Sequence, residues 1–158
     1  MSTVSLHDQQ DPRVTTIKDH IRTIPHWPKE GIMFRDITTF LQHPESFKNS
    51  IDILYERYKD MKIDAVAGLE SRGFILGAPL AYKLGVSFVC IRKPNKLPSK
   101  TIKATYMKEY GPDVLEMHDD AISKGYVVYT TFFLKKKKSN LLARFLHFTA
   151  NVFSWLTI

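Results

Sequence analysis

Apolar residues recur at helical spacing or in short unbroken runs along most of this chain. From Pro44 onward, Phe47, Ile51, Leu54, Tyr55 and Tyr58 fall at spacings of three and four, the signature of one helix face. Pro44-Glu45 opens that helix, with proline in the first turn, where its missing N–H is no loss. Lys62 to Gly68 then reads as a strand, Phe74 to Leu84 as a helix and Val86 to Ile91 as a second strand. Strand, helix and strand within about thirty residues predict a βαβ unit with a parallel sheet. Upstream, a first helix is expected from Thr15 to Thr23. It stops before Ile24-Pro25, because the residue preceding proline is biased away from the helical region. Pro25 to Gly31 reads as loop, and Ile32 to Ile37 as a short extended piece.

Downstream the pattern weakens. Residues 93–112 are rich in Pro, Lys, Thr and Tyr and have no core periodicity, so a long loop is expected, either functional or disordered. Val114 to His118 alternates like a strand. Ser123-Lys124-Gly125 turns the chain into a further strand, Tyr126 to Tyr129. Residues 1–13 are polar and expected to be loose, and no internal repeat is visible.

Composition sharpens this picture in two ways. With 158 residues, 44% hydrophobic and 25% charged, the chain has the size and balance of a single soluble globular domain. Its single cysteine, Cys90, lies in the apolar run Val86 to Ile91, which excludes an internal disulfide and fits a reducing, cytoplasmic setting. No basic stretch followed by an apolar run opens the sequence, so a secretory signal is not expected.

The net charge of +7 suggests a polyanionic partner, but its distribution does not. All 16 acids lie at or before Asp120, and residues 121–158 carry Lys124, Lys135 to Lys138 and Arg144. The body is therefore nearly neutral and the tail basic. A nucleic-acid groove would need cations spread over a folded face with aromatics among them. None is seen, so no nucleic-acid partner is expected.

Three segments could carry chemistry. Gly68-Leu69-Glu70-Ser71-Arg72-Gly73 joins the first parallel strand to its helix. There, helix N-terminal N–H groups would face out of the sheet's C-terminal edge, and Arg72 would add a planar fork of donors for phosphate oxygens. The same pattern fits an ordinary strand-to-helix turn with a surface arginine. The long loop holds Arg92, Lys93, Lys96, Lys100, Lys103 and Glu109-Tyr110-Gly111, either cations and an acid around a polyanion or a solvated lysine-rich loop. In Gly31-Ile32-Met33-Phe34-Arg35-Asp36-Ile37, an arginine beside an acid reads as a structural ion pair. The six histidines have no metal-ligand spacing and no Ser/His/Asp arrangement stands out, so neither a protein-held metal nor a nucleophilic triad is expected.

Together these segments resemble the adenine phosphoribosyltransferase family. The matching residues are Pro28 to Thr38, Gly68 to Phe74, Arg92-Lys93-Pro94-Asn95-Lys96-Leu97-Pro98 and Tyr106-Met107-Lys108-Glu109-Tyr110-Gly111, in the family's order and with similar intervals. The resemblance implies the type I phosphoribosyltransferase fold, an α/β parallel sheet flanked by helices with a small N-terminal hood and a flexible lid loop. It implies transfer of phosphoribose from 5-phosphoribosyl 1-pyrophosphate to adenine, giving AMP and pyrophosphate in purine salvage. Mg²⁺ would be bound mainly through phosphoribosyl pyrophosphate, and the chain would form a homodimer. Met33 and Arg35 match adenine-binding positions. Glu70, Ser71, Arg72 and Gly73 match the pyrophosphate loop, with Lys93 and Lys96 beside it. Tyr106 and Tyr110 match the lid, and Glu109 the acid that exchanges a proton with the purine.

The resemblance runs from about residue 24 to residue 125 and then breaks. After its next strand the family has two adjacent aspartates and a Thr-Gly-Gly-Thr loop that holds the 5′-phosphate. Counted without gaps from Gly125, this chain has Phe132-Phe133 and Lys137-Lys138-Ser139-Asn140 at those positions. Phenylalanine cannot accept a hydrogen bond from ribose, and no glycine follows Gly125 to let backbone wrap a phosphate. The expected organisation is therefore an N-terminal segment and helix over 1–23, an incomplete core over 24–134 and a divergent basic tail over 135–158. Such a C-terminus is what alternative splicing, a retained intron or a gene-model error would produce, and the chain itself is expected to be weakly active or inactive. If Leu141 to Ile158 were helical, Leu141, Leu142, Phe145, Phe148, Val152, Phe153, Trp155 and Leu156 would share one face, a pattern open to membrane-surface contact or to packing on the core. Two other roles stay open: a non-catalytic partner of a full-length chain, and a membrane-surface protein.

Overall fold

The computed structural model describes residues 11–108 and 111–131, which divide into two compact units between Arg57 and Tyr58. In the first unit, α1 (Pro12–Asp19) is capped by Asp11, whose side chain accepts the Arg13 N–H at 2.9 Å. Pro12 occupies the first turn. This helix is displaced toward the N-terminus from the expected Thr15 to Thr23, because Arg22–Pro25 is drawn into a strand, β1. The β1 strand pairs antiparallel with β2 (Met33–Asp36), and a hairpin partner outweighs weak helical periodicity. The short α2 (Thr38–Leu41) and long α3 (Pro44–Tyr58) follow.

On α3 the buried positions are Ser46, Ser50, Ile51, Leu54 and Tyr58, so the buried stripe is centred slightly off the expected face and takes in two serines. Both are satisfied: Ser46 by hydrogen bonds with His43 and His20, and Ser50 by donating to the Phe47 carbonyl at 2.6 Å. Arg13 ties α1 to α3 through Glu56 at 2.7 Å.

The second unit contains the expected βαβ core. The strands β3 (Ala65–Leu69), β4 (Ser87–Ile91) and β7 (Val128–Thr131) form a parallel sheet in the order β4-β3-β7. Every residue of the central β3 is buried, as a strand covered on both faces requires. It begins three residues later than expected, since Lys62 has a positive φ of 47° that an extended strand does not allow. On one face Ala65, Ala67 and Val89 cluster with Met117, and Ile91, Ile122 and Val128 pack at the margin. The helix α4 (Glu70–Leu84) contacts all three strands and ends at Gly85, whose φ of 70° is the left-handed cap that glycine adopts without cost. The last strand lies two residues beyond the expected Tyr126 to Tyr129, with Tyr126 and Val127 exposed before it.

Residues 93–112 are not a continuous loop. Strand β5 (Thr101–Lys108) pairs antiparallel with β6 (Gly111–His118), and, among the described residues of the segment, 93–100 is irregular. Isolated bridging between Arg92 and Glu116 then joins this hairpin to the end of β4.

Candidate active site

Parallel pairing places Leu69 beside Ile91 and Gly68 beside Thr131, so the C-terminal ends of all three sheet strands meet at one edge. Ligands of open α/β sheets bind outside this edge. The segments Glu70-Ser71-Arg72-Gly73 and Arg92 to Lys96 both leave from it.

Chain geometry after β3 is tighter than a loop. Leu69 is the N-cap and α4 starts immediately, so Glu70, Ser71, Arg72 and Gly73 form the helix's first turn, four residues before the expected start at Phe74. Gly68 makes this possible. A Cβ there would lie 2.6 Å from the Phe88 ring and 3.0 Å from the backbone carbon of Gly73, so only hydrogen lets the helix start lie this close to the strand. Glu70 has a positive φ of 49°, a conformation disfavoured for a residue with a side chain. Its carboxylate compensates by accepting the Lys93 N–H at 2.7 Å and lying 3.6 Å from Arg92 Nε. The Arg92 guanidinium also stands 5.5 Å over the Phe74 ring. No side chain caps the start of α4. Its first-turn N–H groups, together with the exposed Arg72, Lys93 and Lys96, make this edge a concentration of hydrogen-bond donors and positive charge.

Glu116, on β6, belongs to none of the segments that the sequence marks for chemistry. It is 3% exposed, pairs with Lys103 at 3.0 Å and accepts the Asn95 N–H at 3.2 Å. The Lys103 ammonium, with the Asn95 N–H and against the effect of burial, holds its carboxyl below the usual carboxylate range. Its signal was an acid in the apolar run Leu115-Glu116-Met117, all three of which are buried.

In the first unit, Met33 and Arg35 sit on β2 with their side chains exposed. The expected ion pair between Arg35 and Asp36 does not form, because neighbours on a strand point to opposite faces. Arg35 bonds the Thr23 hydroxyl across the hairpin, while Asp36 is buried and pairs with Arg22. Tyr106 lies on β5. Glu109 and Tyr110 fall between the register partners Lys108 and Gly111 and, like Phe132-Phe133 and the tail, lie outside the described residues. Among the described residues, no three His, Cys, Asp or Glu side chains are grouped to hold a metal, and no helix is long and apolar enough to cross a membrane.

The phosphoribosyl transferase domain model matches residues 36–128. The chain belongs to the adenine phosphoribosyltransferase family. It is 57% identical over 109 residues to the adenine phosphoribosyltransferase of Desulfosudis oleivorans, across 69% of this chain and 63% of that one. The Saccharomyces cerevisiae enzyme, solved with adenine and D-2,5-dideoxy-2,5-imino-altritol 1,6-bisphosphate, superposes with a TM-score of 0.70 at 41% identity, covering 75% of this chain and 70% of that one. The Trypanosoma brucei enzyme, solved with AMP, pyrophosphate and ribose-5-phosphate, superposes with a TM-score of 0.69 at 28% identity, covering 77% of this chain and 55% of that one. This adenine phosphoribosyltransferase relative thus has the type I phosphoribosyltransferase fold over its described core, and spans 63% of the length of the Desulfosudis oleivorans protein.

Proposed function

We propose that this chain recognises adenine and 5-phosphoribosyl 1-pyrophosphate, and that with its present C-terminal sequence it forms AMP and pyrophosphate at close to background rate. The observation that carries the first half is the convergence of the α4 first turn and the Arg92 to Lys96 segment at one sheet edge, joined by the 2.7 Å bond from the Lys93 N–H to Glu70. Oriented N–H groups, a guanidinium and two ammonium groups suit a diphosphate. The ligands in the yeast and trypanosome structures, adenine in one and pyrophosphate in the other, belong to the classes this reading assigns.

In the proposed arrangement, Glu70, Ser71, Arg72, Gly73, Lys93 and Lys96 bind the departing pyrophosphate. Met33 and Arg35 hold adenine largely through backbone groups, and Tyr106 and Tyr110 belong to a lid that keeps water from the ribose carbon. Glu109 exchanges a proton with the purine as the glycosidic bond forms. Positive charge develops on the ribose while pyrophosphate leaves with negative charge, so cations belong at the leaving group. The donors at this edge are N–H and ammonium groups, which fit phosphate oxygens and leave Mg²⁺ to the substrate. Mg²⁺ carried there would neutralise leaving-group charge. The proposed setting is purine salvage in the cytoplasm, as a homodimer.

The second half rests on Phe132-Phe133 and Lys137-Lys138-Ser139-Asn140 standing where the family has its ribose-binding acids and 5′-phosphate loop. Titrating phosphoribosyl pyrophosphate with Mg²⁺, and separately adenine, into the chain and into Arg72→Ala tests the site. The substitution should weaken phosphoribosyl pyrophosphate at least about tenfold and leave adenine binding nearly intact. Equal losses for both ligands would make Arg72 a structural residue.

A further inference from the structure

Lys93 and Lys96 stand on a short irregular stretch that has no core of its own, yet an anion site needs them at fixed positions. The stretch is held at both ends by carboxylates from outside it. At its start, Glu70 accepts the Lys93 N–H at 2.7 Å. Just before, Arg92 exchanges both backbone hydrogen bonds with Glu116, at 2.9 and 2.7 Å. At the far end, the Glu116 carboxylate reaches back to the Asn95 N–H at 3.2 Å. Asn95 has a φ of 63°, so the chain reverses there, between the two lysines and next to Lys96.

Two features set this contact apart from an ordinary cross-strand ion pair. Glu116 is buried, whereas its partner Lys103, opposite it in the hairpin register, has a side chain that is 61% exposed. An exposed ammonium contributes little, and a buried carboxylate is an expensive way to recruit one. The second oxygen spans from the hairpin to the turn, which no hairpin requires for its own pairing.

Resting on the proposed pyrophosphate role of Lys93 and Lys96, we propose that Glu116 is a positioning residue for that site. By accepting the Asn95 N–H it fixes the turn carrying both lysines and couples it to the β5–β6 hairpin. The hydrogen bond is the working element, and the charge is secondary. An amide oxygen can accept the same N–H, so Glu116→Gln should preserve the function. Glu116→Ala removes the acceptor, and Glu116→Asp keeps the charge but withdraws the oxygens by one methylene.

The experiment is calorimetric titration of inorganic pyrophosphate with Mg²⁺ into the full chain and these three variants. Glu116→Ala and Glu116→Asp should each weaken pyrophosphate about tenfold, and Glu116→Gln should stay within about threefold of the unsubstituted chain. If Glu116→Ala does not fold, the aspartate and glutamine pair decides. Loss in Glu116→Gln equal to that in Glu116→Asp, or unchanged binding in Glu116→Asp, overturns the inference alone. An unsubstituted chain that binds no pyrophosphate overturns the underlying reading of the site, and this inference with it.

Discussion

Arg35 and Asp36 are adjacent in sequence and opposite in environment. The acid turns inward, and its partners come from elsewhere: the Thr38 hydroxyl at 2.7 Å, the Arg22 guanidinium and the Thr38 N–H at 2.9 Å. In that order of strength they lower its pKa from 3.8 to about 2. A carboxyl depressed in the folded state contributes stability above its unfolded value, and the contribution is lost as pH falls through the folded one. The gap in urea midpoint between the chain and Asp36→Asn should therefore be widest above pH 3.8 and close as pH falls toward about 2. A gap independent of pH would mean that the ionised carboxylate is not what stabilises this turn. Sequence alone showed the motif containing these residues but not their pairing, since facing is decided by strand register. Glu116 was hidden for the same reason: its partners Asn95 and Lys103 are distant in the chain and meet it only once β5 and β6 pair.

The β3-α4-β4 unit was legible because its apolar runs are unbroken and its punctuation is chemical, from Gly68 at the strand's end to Gly85 at the helix's end. The β5–β6 hairpin was not. Ile102 is 40% exposed and Lys103 is exposed, so residues 101–105 of β5 lack the alternation of burial that marks a strand in sequence. The junction of β3 with α4 was legible in part, as a glycine-containing anion motif, but its immediacy depends on Gly68. Gly68→Ala would force its new methyl group against Phe88 and the Gly73 backbone, at 2.6 and 3.0 Å. Phe88 could shift, but the backbone contact is less yielding. The expected cost is about 1–3 kcal/mol of stability, read from chemical denaturation. An unchanged unfolding midpoint would show that the helix start can move freely away from the strand.

For the whole molecule, family membership and local chemistry point in different directions. The matched region, residues 36–128, stops at the start of β7, whose last residue Thr131 lies at the same sheet edge as Glu70 and Arg92. On the proposed reading, a complete site needs ribose and 5′-phosphate ligands following that strand. Here Phe132-Phe133 and a lysine-rich segment follow instead. Lysines supply charge, but not the oriented donors of a glycine loop. Removing a single preorganised donor group from an active site costs about a hundredfold to a thousandfold in rate, and loose positioning of the ribose carbon adds to that loss.

The most direct measurement is AMP formation from adenine, phosphoribosyl pyrophosphate and Mg²⁺ by the purified chain, beside the same chain carrying a family-type C-terminal sequence from Gly125 onward. The account predicts turnover at least about a hundredfold lower in the unaltered chain, with pyrophosphate binding comparable in the two. Turnover in the unaltered chain within about tenfold of the other would contradict it, since losing an oriented phosphate loop should cost more than that. The phosphate site would then have to be supplied by Lys135 to Lys138 or by a partner subunit.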